Sequence, residues 1–124
     1  IHTPLTDETM SMVNQDFINK INPGSILVNT ARGKIVESLS VIYEALISGK
    51  LSGVGLDVLP EEPPSDKEAL IKAWKNPDDP LSSRIIIAPH TAFYSETAWH
   101  EMRFKAAENI LRIIKRKEPL NRIN

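Results

Sequence analysis

An α/β fold built on a parallel sheet is what this sequence predicts, and three observations carry that expectation. Three short apolar runs, SILVN (25–29), GVGLDV (53–58) and RIIIA (84–88), are rich in β-branched residues and lack polar alternation, as strands covered on both faces do. Stretches of helical apolar spacing precede the first run and separate it from the second. Turn and stop signals, Pro23-Gly24 and Gly49, stand at the joints. Strands alternating with helices in this way read as βαβ units.

The elements follow in order. IHTPLT reads as the end of a strand running into a loop, and the first residue is Ile1, so the chain is expected to start in the middle of a larger fold. MVNQDFINKI places Met12, Phe17, Ile18 and Ile21 at helical spacing ahead of the first strand. Leu39, Ile42, Leu46 and Ile47 mark one face of a helix through ESLSVIYEALISGKLS, with Gly49 as its stop. The proline-rich stretch from Leu59 to Ser83 is expected to be mostly loop, with one or two helical turns through EALIKAW. The longest helical pattern runs from Ser95, a suitable N-cap, to about Lys117, with Ala98, Met102, Ala106, Ile110 and Ile113 on one face.

Composition limits the function classes. The chain has 124 residues, a normal size for one domain, with 41% hydrophobic and 25% charged residues. A net charge of −1 gives no general electrostatic case for nucleic acid or membrane binding. The locally basic RIIKRK stands where cations complement a helix C-terminus. There is no cysteine, which excludes disulfides and thiolate chemistry and fits a reducing, cytoplasmic setting. No apolar run approaches a membrane span, and no signal segment opens the chain.

Candidate chemistry gathers where the strands end. NTARG follows the first strand, so Arg32 lies at its carboxyl end with Gly33 allowing a sharp departure. An arginine there can clamp a carboxylate with two parallel hydrogen bonds. GLDVLPEEP sets Asp57 near the end of the second strand and Glu61 and Glu62 just beyond. APH ends the third run with His90, in the position where ligands bind on open α/β sheets. Each has a plainer alternative: Arg32 as a turn arginine, Asp57 as a loop organiser accepting backbone N–H groups, one glutamate as solvated, His90 as structural. Three strand ends converging on one sheet edge favour a single site over three coincidences. His100 falls inside the long helix and reads as a surface or packing residue. Phosphate cradles are missing: Gly53-Val54-Gly55 leads to Val58 where GxGxxG wants glycine or alanine, and there is neither GxxxxGK[ST] nor GxSxG.

With these residues in view, HTPLT, LVNTARG, GLDVLPEEP and APHTAFYSE, in that order, resemble the D-isomer-specific 2-hydroxyacid dehydrogenases over essentially the whole chain. PHTAFYSE followed by EMR is most similar to the subgroup around C-terminal binding protein, some of whose members are corepressors that bind NAD(H) and act through partners. The resemblance implies a Rossmann-like, doubly wound parallel sheet. Residues 1–94 would be the second half of the NAD-binding domain, and 95–124 the long helix and tail returning toward a substrate domain. It implies NAD as cofactor, a D-2-hydroxy or 2-oxo acid as substrate, no nucleic acid bound directly, no membrane, a homodimer at full length and little activity in this fragment alone.

It also implies roles. His90 resembles the acid/base, Glu62 the carboxylate that orients it, and Arg32 the arginine that binds the substrate carboxylate. Asp57 is similar to the residue that meets the nicotinamide carboxamide. Thr3, Pro4, Thr30 and Ala31 would line the nicotinamide side, with Ala92 near the ring. The segment from Pro63 to Arg84 is longer than the family's usual loop.

Overall fold

The computed structural model describes residues 1–122. The chain divides into two compact units, the first ending at Ala92 and the second beginning at Phe93. In the first unit three parallel strands, β1 (Ser25–Asn29), β2 (Leu51–Leu56) and β3 (Ile85–Ile87), form a sheet in the order β1-β2-β3. Three helices accompany them: α1 (Gln15–Lys20), α2 (Leu39–Ile47) and α3 (Ala69–Lys75). The second unit carries α4 (Glu96–Ile114). The parallel, Rossmann-like arrangement predicted from the sequence is present.

Local chemistry explains the boundaries. Asn14 caps α1 by accepting the Phe17 N–H at 3.0 Å. Ser38 does the same for α2, accepting from Val41 at 3.3 Å. Beyond α2, Gly49 takes a left-handed φ of +76°, which ends the helix as its sequence position foretold. EALIKAW yields the two-turn α3, whose Leu70, Ile71 and Ala73 are buried. Arg84 then fastens the start of β3: its guanidinium donates to the carbonyls of Leu46 (3.1 Å), Leu51 and Ser52 (2.8 Å).

Two expectations need correction. The second strand was placed at 53–58 but occupies Leu51–Leu56, in register Ser25↔Leu51 through Asn29↔Leu56. Val58 is buried without pairing, and burial alone made it look like strand. The strands were also expected to be covered on both faces. Leu27, Val54, Leu56 and Ile85 do join one core with Ile42 and Leu46 of α2 and Leu70 and Ile71 of α3. On the alternate positions, however, Ile26 is 72% and Ile86 70% exposed, because among the described residues of this unit the helices pack on one face.

In the second unit Ser95 caps α4, accepting the Ala98 N–H at 3.0 Å, as predicted. The guanidinium of Arg103 lies 3.7 Å over the Trp99 ring, a cation–π contact one helical turn apart. No helix among the described residues is long and apolar enough to cross a membrane.

Candidate active site

Parallel strands in register bring their carboxyl ends together, and every sequence-predicted catalytic residue leaves from one of them. At the end of β1, Asn29 is fully buried. Its Oδ1 accepts the Ala31 N–H and its Nδ2 donates to the Arg32 carbonyl, each at 3.0 Å, so one side chain shapes the whole TARG turn. Its own carbonyl accepts the Asp57 N–H at 3.0 Å, which ties this turn to the next strand end. Sequence reading passed over Asn29. The signal was available: an asparagine directly between an apolar run and a turn.

Gly33 also plays a different part from the one expected. Its φ is not left-handed, so conformational freedom is not the reason for a glycine. A Cβ built there would lie 1.8 Å from the Leu59 carbonyl oxygen and 2.1 Å from its carbon. Glycine lets the Arg32 turn lie directly on the backbone that leads to Glu62.

Arg32 donates from Nη1 to the Ala31 carbonyl at 2.7 Å. With His2, Thr3, Pro4, Thr30 and Ala31 it lines a hollow of about 410 Å³. His2 Nδ1 and Thr30 Oγ1 are hydrogen-bonded across this hollow at 3.1 Å.

A second hollow, of about 500 Å³, holds His90, Glu62 and Asp57 against an apolar wall that includes Trp74, Ile87 and Pro64. His90 Nδ1–H donates to Glu62 Oε2 at 2.9 Å, and the other carboxylate oxygen, Oε1, accepts the Leu59 N–H at 2.8 Å. Both lobes of Glu62 are therefore engaged, and Nε2 of His90 is the ring nitrogen left for a substrate. Glu61, one residue earlier, is exposed like Glu62 but makes no hydrogen bond to His90. The Asp57 carboxylate accepts from Thr91 (2.8 Å) and Ala92 (2.9 Å), the loop-organising behaviour weighed for it from sequence. The four residues thus stand at neighbouring strand ends, with Arg32 in one hollow and the His90–Glu62 pair in the other. Trp74, from the long segment between Pro63 and Arg84, went unnoticed in the sequence, where EALIKAW announced only a helix.

The hydrogen bond from His90 holds the Glu62 carboxyl below the usual glutamate value, and the Leu59 N–H acts in the same direction. Partial desolvation and the charge of Asp57 oppose them, and the positive ring of His90 adds a smaller downward pull. A carboxylate whose folded pKa is depressed stabilises the fold above its unfolded value, and that contribution is lost as pH falls through the folded value. Acidification should therefore leave Glu62 ionised to a lower pH than an ordinary glutamate. The Cδ carbon shift of Glu62, followed by NMR against pH, should give a midpoint under that of glutamate in the denatured chain. A midpoint at or above it would mean that the His90 and Leu59 hydrogen bonds do not stabilise the Glu62 carboxylate.

Residues 1–92 match the family model described as D-isomer specific 2-hydroxyacid dehydrogenase, NAD binding domain. The chain belongs to this family. Among its relatives is the glyoxylate reductase of Korarchaeum cryptofilum, 35% identical over 126 residues that take in 100% of this chain and 34% of that protein. The glycerate dehydrogenase of Methylorubrum extorquens is 34% identical, over 89% of this chain and 32% of that one. Among solved structures, the D-lactate dehydrogenase of Aquifex aeolicus complexed with NAD and lactic acid has a TM-score of 0.70 and 34% identity, covering 92% of this chain and 36% of its own. The chain thus spans about a third of the length of the dehydrogenases it matches. The hollow formed by Thr3, Pro4, Thr30, Ala31 and Arg32 offers threonine hydroxyls that can hydrogen-bond the carboxamide of a nicotinamide.

Proposed function

We propose that the protein carrying this chain is an NAD-dependent oxidoreductase that interconverts a D-2-hydroxy acid and its 2-oxo acid. The observation that supports this most directly is the 2.9 Å hydrogen bond between His90 Nδ1 and Glu62 at the carboxyl edge of a parallel sheet. When bound, a nicotinamide cofactor would supply the hydride chemistry at substrate C2. In reduction, His90 Nε2 delivers a proton to the substrate's 2-oxo oxygen, so hydride and proton together convert the carbonyl to a hydroxyl; oxidation reverses both transfers. Glu62 fixes which ring nitrogen carries its own proton and supports the imidazolium. Arg32 takes the substrate carboxylate in a two-pronged grip. Thr3, Pro4, Thr30, Ala31 and Ala92 line the nicotinamide. The resemblance supports a cytoplasmic homodimer.

A panel of 2-oxo acids assayed with NADH and the full-length protein tests this reading. Reduction of at least one of them should be measurable. Arg32→Lys should raise KM for that acid about tenfold or more, because an ammonium cannot reproduce the planar fork, while NADH affinity stays nearly constant. Tight NADH binding without reduction of any acid would favour the corepressor-like alternative. Collapse of NADH binding in Arg32→Lys with an unchanged KM would remove Arg32 from the substrate.

A further inference from the structure

We infer that Asp57 is the positioning residue for His90, because three successive backbone N–H groups, those of His90, Thr91 and Ala92, all end on it. The His90 N–H donates to the Asp57 carbonyl at 2.9 Å. The Thr91 N–H donates to Oδ1 at 2.8 Å and the Ala92 N–H to Oδ2 at 2.9 Å. The importance of His90 to turnover rests on the function proposed above; the clamp itself rests on these distances.

The arrangement answers a problem posed by the backbone. His90 sits at φ +55°, a left-handed conformation uncommon for a residue with a Cβ, although histidine takes it more readily than most. Consecutive N–H groups around such a residue form a concavity that binds an anion. Here the anion is internal. Asp57 is buried, so its carboxylate keeps little of its hydration, and its backbone is itself anchored through the Asn29 carbonyl. β2 and the turn of β1 therefore fix where the His90 backbone lies, while Glu62 fixes only the ring. Neither constraint alone would orient Nε2.

The chemistry demands a carboxylate. An ionised carboxyl offers two acceptor oxygens, whereas a carboxamide offers one oxygen and an NH2 group that would face an N–H. Asp57→Asn should therefore release Thr91 or Ala92 and let His90 relax. Asp57→Glu keeps both acceptors and the charge on a longer arm, and should restore part of what the first substitution loses.

Two measurements separate this role from a plain cofactor contact. In the 124-residue chain, NMR should show the downfield amide protons of Thr91 and Ala92 moving upfield in Asp57→Asn, together with loss of the hydrogen-bonded Nδ1–H signal of His90. In the full-length protein, kcat at saturating NADH should fall up to about a hundredfold, with NADH affinity kept within about threefold. A large loss of NADH affinity with normal kcat and an intact Nδ1–H signal would overturn the inference. If Asp57→Asn does not fold, Asp57→Glu decides: displacement of the His90 signal along with the two amides supports the clamp, and movement of the amides alone defeats it. If the full-length protein reduces no 2-oxo acid, the proposed function falls, and the NMR comparison still decides the clamp.

Discussion

A His90→Gln substitution in the full-length protein should leave NADH binding close to normal and lower kcat for 2-oxo acid reduction by about 10²–10⁴-fold, the range attached to general acid–base catalysis. Glutamine keeps a polar tip of similar reach but holds no transferable proton at neutral pH. The neighbouring acids make useful controls. Glu62→Gln removes the acceptor for the ring N–H at 2.9 Å and should lower kcat less than loss of the ring, with a shifted pH–rate profile. Glu61→Gln touches a side chain that makes no hydrogen bond to His90 and should leave that profile unchanged. Steady-state rates and NADH fluorescence titration on the three variants would settle the order. Turnover surviving within about tenfold in His90→Gln would mean that another group handles the proton.

The sequence disclosed most where one residue type has one physical use. SILVN became β1 residue for residue, since a Pro-Gly turn brackets it on one side and a turn-forming asparagine on the other. Gly49 stopped α2 because a left-handed residue there costs a glycine little. His90 was legible as a strand-end residue with a carboxylate beside it, because parallel strands in register bring such ends together; the resemblance, and not the strand pattern, singled out Glu62 over Glu61. What stayed hidden depended on distances between segments far apart in the chain. The start of β2 is set by Leu51 pairing with Ser25, and no local pattern in LSGVGLDV reveals that register. The covered face of the sheet follows from where α2 and α3 pack, so Ile26 and Leu27 read alike although one is exposed and the other buried. Asp57 spoke for a strand-end carboxylate, but its hold on Thr91 and Ala92 spans more than thirty residues.

Gly33 shows the same limit most sharply, and it yields the largest expected effect on stability. Three glycines allow three reasons for being glycine to be compared. Gly49, at φ +76°, has open space around its missing Cβ, so alanine there meets only backbone strain of about 1–2 kcal/mol. Gly53 has an ordinary φ, and its added Cβ would find the Arg84 carbonyl at 3.5 Å, a normal contact; alanine should fit. Gly33 has an ordinary φ and an impossible contact, 1.8 Å from the Leu59 oxygen. That oxygen belongs to backbone held by the Leu59 N–H to Glu62 bond on one side and buried Val58 on the other, so it cannot swing away as a side chain would. Relief requires the TARG turn and the Leu59–Glu62 segment to part. Overpacking in a rigid setting costs about 1–3 kcal/mol and occasionally more, and a main-chain clash this deep belongs at or above the upper end. Gly33→Ala should therefore lower the stability of the chain by about 3 kcal/mol or prevent folding. Gly49→Ala should cost clearly less, and Gly53→Ala almost nothing. Urea unfolding of the three variants gives the ranking directly. If Gly33→Ala unfolds at the same denaturant concentration as the parent, the two segments do not lie in contact, and the link from Arg32 through Gly33 to the Glu62 loop is lost with it.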